Sequence, residues 1–347
     1  MKPLDPRRLG SLLGSLDFNR APLGRSPRGT GFKEWLYFGI GAGPIELVVC
    51  FATSDGPPDR PVPRVARMLL FVRDARGFRG FVERAAPEHG RLPGGRVGAF
   101  VNRNAVHRVG SALELTLDPE RAPLKAELRL SVTSLPAPLH QSPRPDAPGM
   151  NWLVIPRMTA TGWIELDGVR HAVDEAPAYH DHNWGTFDFG HDFTWEWGYG
   201  FFETDARWSF VMVRFADAAR SRALEQALFL WRDGRPARSL TGSELSVRRE
   251  GLLRPVRLPK VPGALRLLAP GTATDIPASY AVTGALGHDR LELAFTPEDA
   301  LQLLIPSEAD ERITRIHEVT GPVRIAGSIA GERIHQRGRG VFEFLAA

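Results

Sequence analysis

The densest chemistry in this sequence lies between Tyr179 and Glu203. The segment contains Tyr179-His180-Asp181-His182-Asn183-Trp184-Gly185 and then Trp195-Glu196-Trp197-Gly198-Tyr199-Gly200-Phe201-Phe202-Glu203. On a strand, successive side chains alternate faces, so His180, His182 and Trp184 share one face and Tyr179, Asp181 and Asn183 the other. Both faces are then polar and aromatic, which does not suit a strand with one face in a core and one in water. Such a strand is buried between two domains or lines a cavity. In the second stretch Trp195, Trp197, Tyr199 and Phe201 share a face, and Glu196 points the other way. An aromatic row of this kind can bind an apolar ligand.

Two histidines at i, i+2 can also reach one metal, with His171 and His191 nearby in sequence. The supporting ligands are missing: there is no cysteine beside them and no H-E-x-x-H pattern. We therefore expect no metal, and a hydrogen-bonded network of the histidines, Asp181 and Asn183 instead. An isolated buried carboxylate is too costly to keep charged. Asp181 should accordingly find partners on another strand, such as an arginine, a tyrosine hydroxyl or a backbone N–H, because His180 and His182 point away from it. No Gly-x-Ser-x-Gly and no P-loop occurs. The run Gly39-Ile40-Gly41-Ala42-Gly43 has no helix signal behind it, which excludes a dinucleotide site.

The elements that must position these residues are strands. Leu113, Leu115 and Leu117 alternate with polar residues, as do Ala126, Leu128, Leu130 and Val132; Trp208, Phe210 and Met212 share a face in the same way. Asp167-Gly168 and Asp233-Gly234 fall between such runs and suit tight hairpins. Thirty-five glycines and 29 prolines leave little room for long helices. One short helix is expected from Thr296-Pro297-Glu298-Asp299 to about Leu304, on a capping threonine with proline after it. The pattern predicts an all-β chain of barrels or sandwiches. At 347 residues it divides into two domains: an N-terminal arm over 1–28, a first domain over 29–187 and a second over 188–347. Glycines 185, 198 and 200 are expected where strands or rings approach closely, or where φ is positive.

Composition narrows the function. The net charge of +4 and pI of about 9.5 come from dispersed arginines, not from a basic run, so no nucleic-acid partner is expected. A single cysteine, Cys50, excludes a disulfide framework and fits a reducing compartment. Arg7-Arg8 and the leucines after them resemble a signal, but the apolar part is short, interrupted by Asp17 and Asn19, and lacks a cleavage site. A cytoplasmic protein is the expectation.

Four anchors along the chain resemble the carotenoid 1,2-hydratase (hydroxyneurosporene synthase) and AttH-like family. Glu34-Trp35-Leu36-Tyr37-Phe38 resembles the family's E-W-W-Y-F strand, with Leu36 in place of a tryptophan. Asp181-His182-Asn183-Trp184-Gly185 resembles its D-x-x-W-G signature, and Trp195-Glu196-Trp197 its W-x-W. Gly338-Arg339-Gly340-Val341-Phe342-Glu343 resembles the closing G-x-G-Y-x-E, with Ile316-His317-Glu318 upstream where Y-W-E is usual. The resemblance implies two lipocalin-like domains in tandem and chemistry without a cofactor: hydration of an isolated alkene, or cyclisation of a polyketide or terpenoid. It carries a hydratase histidine and tryptophan onto His182 and Trp184. The family's downstream tyrosine and aspartate have no single counterpart, since Tyr199, Glu203 and Asp205 all compete.

Under that resemblance, Asp181, Glu196 or Glu203 would be a carboxyl kept protonated by burial. Tyr179 or His182 would polarise a carbonyl, and Trp184, Trp195 and Trp197 would stabilise a carbocation. Trp195, Trp197, Tyr199, Phe201, Trp35 and Tyr37 would form the substrate surface. The partner is an apolar isoprenoid or polyketide-like molecule, reached through peripheral contact with a membrane. The competing reading is a lipocalin-like carrier that binds such a molecule without chemistry.

Overall fold

Alternating sequence becomes strand almost throughout the computed structural model, which describes residues 4–20, 31–55, 64–140, 149–267, 271–272, 274–306 and 312–346. The chain divides into two units, Met1–Asp188 and Phe189–Ala347. Among the described residues no helix is long and apolar enough to cross a membrane.

The first unit opens with helix α1 (Pro6–Leu16). The strands follow as β1 (Phe32–Ala42), β2 (Ile45–Ser54), β3 (Val65–Asp74), β4 (Gly77–Arg84), β5 (Gly90–Arg91), β6 (Gly98–Val101), β7 (Asn104–Val109), β8 (Ala112–Leu117), β9 (Leu124–Val132), β10 (Ala137–His140), β11 (Gly149–Leu166) and β12 (Val169–Thr186). One sheet runs β4-β3-β2-β1-β12-β11-β9-β8-β7-β6-β5, with β10 added on β11. It curls round a single apolar core that includes Leu36, Phe38, Val49, Leu70, Leu115 and Leu128. The β11–β12 hairpin turns at Asp167 and Gly168, both at positive φ (51° and 80°), as the Asp-Gly pair predicts.

The expected N-terminal arm is in part a helix. Asp5 caps it by accepting the Arg7 N–H at 3.0 Å, and proline follows at the first helical position. Leu9 and Leu13, one turn apart, are buried in the core. Gly10 and Gly14 let it lie close to the sheet. A Cβ on Gly14 would sit 2.7 Å from Arg108 Nη1, and that guanidinium donates to Gly10 O at 3.1 Å. Residues 21–28 of the arm lie outside the described residues.

The second unit contains β13 (Thr194–Phe202), β14 (Trp208–Ala216), β15 (Ala223–Arg232), β16 (Arg235–Thr241), β17 (Leu245–Glu250), β18 (Lys260–Val261), β19 (Ser279–Leu286), β20 (Asp289–Phe295), β21 (Asp299–Pro306), β22 (Ile313–Ile329) and β23 (Glu332–Ala346). The sheet runs β16-β15-β14-β13-β23-β22-β20-β19-β17, and β21 pairs with β22 and β18. The Gln226 side chain on β15 donates to Gly242 O and Leu245 O, bringing the two ends of the sheet together. Phe210, Phe295, Phe342 and Phe344 fill the core, with Phe295 and Phe342 stacked at 4.1 Å.

The helix expected from Thr296 to Leu304 is instead strand β21. Thr296 and Glu298 N–H groups already donate to Pro322 O and Thr320 O across the sheet. Ala300 through Leu304 are then buried on both faces, an environment that a continuous apolar run satisfies as well in a strand as in a helix.

Glycine proves necessary where strands and rings meet. A Cβ on Gly185 would lie 2.1 Å from Gly149 O, and one on Gly198 would lie 2.5 Å from the Phe342 ring. Gly185→Ala is expected to cost about 1–3 kcal/mol through this overpacking. A denaturation midpoint equal to that of the parent would contradict the contact.

Candidate functional site

Strand register sorts the candidate residues onto two faces in each unit. In the first unit Leu36 pairs with His182, Phe38 with His180, and Glu34 with Trp184. These side chains face the barrel core. His182 is fully buried between two carboxylates: Nδ1 lies 2.9 Å from Asp17 Oδ1, and Nε2 lies 3.0 Å from Glu34 Oε1. With an acceptor at each ring nitrogen, the arrangement suits an imidazolium. Burial pushes the His182 pKa down, but the hydrogen bonds to Asp17 and Glu34 outweigh it and the net direction is up. Burial likewise pushes the Asp17 carboxyl up; hydrogen bonds from His180 and His182 reverse this and hold it well below the usual carboxylate range. His180 Nδ1 lies 2.8 Å from Tyr37 O, and its ring stacks on Phe38 at 4.4 Å. Trp184 is half-buried under the Arg20 guanidinium, 4.3 Å from the ring centroid.

The opposite face carries Trp35, Tyr37, Tyr179, Asp181 and Asn183. Asp181 is buried, and two of its partners lie nearer in the chain than the cross-strand groups expected. Its carboxylate accepts the Tyr179 hydroxyl at 2.9 Å and the Asn183 amide at 2.7 Å, both from its own strand. Residues two apart on a strand lie on the same face, so a tyrosine and an asparagine flanking an aspartate satisfy it locally. Tyr37 sits across from Asp181 on β1 and meets the Tyr179 ring edge-on at 6.2 Å.

In the second unit Trp195, Trp197, Tyr199 and Phe201 point away from the core. The first three are buried, and their rings follow one another, with Trp197 to Tyr199 at 5.4 Å and Tyr199 to Phe201 at 5.5 Å. The same face carries two carboxyls that were absent from the catalytic candidates. Glu343 pairs across the strands with both Glu318 and Trp197, and it accepts the Trp195 indole N–H at 2.9 Å. The available signal was the alternation itself: Glu343 stands between Phe342 and Phe344, so it must leave the core that they enter.

Glu196 lies on the inner face. Its Oε2 accepts the Tyr280 hydroxyl at 2.9 Å, and Oε1 lies 3.1 Å from Arg249, 3.5 Å from Arg214 and 3.6 Å from Arg220. Burial and the adjacent Glu196 charge push the Tyr280 pKa well above its ordinary value. Beside them His317, pushed down to about 4 by burial, is neutral and accepts the Gln302 amide at 2.8 Å. The sequence placed Glu196 opposite the aromatic row but offered no means of finding its partners, which come from β14, β17, β19 and the turn after β14. Among the described residues, no group of three His, Cys, Asp or Glu side chains has metal-binding geometry.

No family model and no curated protein matches the chain. Solved structures do. An AttH-type protein from Nitrosomonas europaea aligns over 93% of this chain and 97% of its own, with a TM-score of 0.64 at 13% identity. Kievitone hydratase from Nectria haematococca covers 93% and 91%, with a TM-score of 0.57 at 13% identity. CghA in complex with Sch210972 covers 92% and 89%, with a TM-score of 0.56 at 14% identity. At such identities the likeness is one of fold, and this all-β chain is similar in fold to all three over nearly its whole length.

Proposed function

We propose that the chain is a cofactor-independent enzyme acting on an apolar isoprenoid or polyketide-like substrate, as a cyclase or isomerase or as an alkene hydratase. The proposal places it with the carotenoid 1,2-hydratase and AttH-like proteins and makes its two units lipocalin-like domains. The carrying observation is the aromatic row of the second unit. Phenylalanines and Tyr280 already fill the core, so Trp195, Trp197 and Tyr199 are large aromatic side chains that the core does not use. On that face they lie beside the buried Glu318 and the half-buried Glu343, which accepts the Trp195 N–H. Indole faces stabilise a developing cation by roughly 0.5–2 kcal/mol each, and an aromatic surface folds a polyene into a reactive shape. The fold likeness to a hydratase, and to a protein solved with Sch210972, supports the reading.

The test is incubation with a panel of polyenes and linear polyketide mimics, followed by mass analysis. Hydration adds the mass of one water, whereas cyclisation or isomerisation changes retention at constant mass. Recovery of every compound unchanged, with a lipid or pigment that co-purifies and is likewise returned intact, would make the chain a carrier instead.

A further inference from the structure

On the inner face of the second unit, strand register lines up a polar row that crosses six strands. Gln226 on β15 pairs with Arg214 on β14, Arg214 with Glu196 on β13, and Glu196 with Phe344 on β23. Phe344 pairs in turn with His317 on β22, and His317 with Gln302 on β21. Residues directly opposite on paired strands share a face, and Phe344 lies in the core, so the whole row points inward. The next inward row, Met212-Gly198-Phe342-Val319-Ala300, is wholly apolar. Five of the six positions in the first row are polar instead.

This row gathers more positive charge and more donors than the fold uses. Arg214, Arg220 and Arg249 converge on Glu196 Oε1 at 3.5, 3.6 and 3.1 Å, yet none is aligned to hydrogen-bond that oxygen. Arg220 also engages Asp275, and the Tyr280 hydroxyl donates to Glu196 Oε2. Arg214 is the orphan. Its guanidinium makes no hydrogen bond among the described residues, although only 8% of the side chain is exposed. Burying such a group without acceptors is costly. Three guanidiniums against Glu196 and Asp275 leave one positive charge, and the neutral His317 does not change that balance. Lys260, paired with Gln302 on β18, is pushed down by burial and by Arg315, a sign of surplus cations at this end. The turn after β14 is built to deliver Arg220. Asp217 accepts the Ser221 and Arg222 N–H groups at 2.7 and 3.2 Å, and Arg220 has a φ of 59°, which an L-residue adopts at a cost.

We propose that this row is a binding site for a monocarboxylate with an apolar body, whose carboxylate is held by Arg214 together with Arg220 and Arg249. A guanidinium fork matches a carboxylate through two parallel hydrogen bonds, and a single negative charge cancels the surplus. A phosphate dianion would exceed it, beside the like charges of Glu196 and Asp275. The apolar body suits the aromatic level beyond. Tyr280 meets Phe342 and Phe344 at 5.7 and 5.6 Å, and its hydroxyl reaches Met212 Sδ at 3.5 Å. Access is from the side of Arg249 and Asp275, whose side chains are 30% and 43% exposed. Glu196 is a positioning residue: it keeps the guanidiniums together but sets a like charge beside the ligand. The site lies on the opposite face from the Trp195–Tyr199 row and stands whether or not the chain is an enzyme.

Titration calorimetry on the full chain with benzoate, benzyl alcohol and inorganic phosphate tests the proposal. Benzoate should bind with a stoichiometry of one, about 10-fold or more tighter than either benzyl alcohol or phosphate. Arg214→Met should weaken benzoate by about 10-fold or more, and Arg214→Lys, which keeps the charge but loses the fork, should fall between. Glu196→Gln should tighten benzoate several-fold by removing the adjacent like charge. A carboxylate with no anion beside it would leave that affinity unchanged, and such a result counts against the site. No saturable benzoate binding to the wild type overturns the proposal. Binding unaltered in Arg214→Met places benzoate on surface arginines and overturns it as well. Phosphate binding tighter than benzoate overturns the carboxylate assignment, and benzyl alcohol binding as well as benzoate overturns the role of charge. If Arg214→Met melts early, Arg249→Gln at the part-exposed edge decides: an affinity equal to that of the parent sinks the proposal.

Discussion

Replacing His182 by alanine is expected to lower the stability of the first unit by about 3–5 kcal/mol, the usual cost of breaking a buried ion pair from one side. The substitution would leave Asp17 and Glu34 facing the space of the lost ring, both almost wholly inaccessible to water. Asp17 would keep His180 Nε2 at 3.3 Å, and Glu34 the Arg20 N–H at 2.5 Å, which softens the loss without removing it. The same triad makes stability depend on pH in a definite sense. His182 has a raised folded-state pKa, so its contribution is complete below the ordinary histidine range and is lost as pH climbs through the raised value. Asp17 is depressed, so its contribution is present above the ordinary aspartate range and is lost only as pH falls through the lowered value. The first unit should thus be most stable between these two ranges and weaken on the alkaline side. Hydrogen exchange followed at β1, β12 and α1 measures both effects. A change below about 1 kcal/mol in His182→Ala, or a flat profile through the histidine range, would mean that the ring is not held as an imidazolium.

How much of this could be read from the chain depends on the distance between partners. The alternation of Leu113, Leu115 and Leu117, the Asp-Gly hairpins and the opposite faces of His182 and Asp181 are local facts of period two, and the structure has them as expected. The helix α1 was also locally encoded, with Asp5 and Pro6 at its start and Leu9 and Leu13 one turn apart. The stretch was nevertheless expected to be part of an arm over 1–28. In the protein the helix forms, with Gly10 and Gly14 as contact points and Leu9 and Leu13 in a core. The misplaced helix after Thr296 is the converse case. Its cap-like start was real sequence chemistry, but cross-strand hydrogen bonds to Pro322 and Thr320 claim those backbone groups first.

The candidate site divides along the same line. Tyr179, Asp181 and Asn183 form a network within five residues of chain, nearer than the cross-strand partners expected of Asp181. Asp17 to His182 spans 165 residues, and Trp195 to Glu343 spans 148. No spacing rule reports such pairs; register and topology create them. Individual residues of these pairs were nevertheless visible as polar groups in apolar strands, where a side chain must either leave the core or find a partner inside it.

Glu196 is the second position where a large effect is expected, and it tests what the inner face of the second unit is for. Glu196→Ala would leave the Arg214, Arg220 and Arg249 guanidiniums grouped without their shared carboxylate, and the Tyr280 hydroxyl without its acceptor. Arg220 keeps Asp275 as a partner, whereas Arg214 has only 8% of its side chain exposed to water. A cost of about 3 kcal/mol follows, the lower end for a broken buried pair because Arg249 still reaches solvent. Glu196→Gln keeps the shape and an acceptor for Tyr280, so it should cost about half as much. Glu196→Met combined with Arg214→Met should recover much of the loss, since removing both partners of a buried pair is often close to neutral. These three values separate a structural role from a chemical one. If Glu196 only organises the barrel, turnover per folded molecule stays near that of the parent in the Gln variant, even as the melting temperature drops. If instead turnover collapses while stability holds, the acid lies on the inner face.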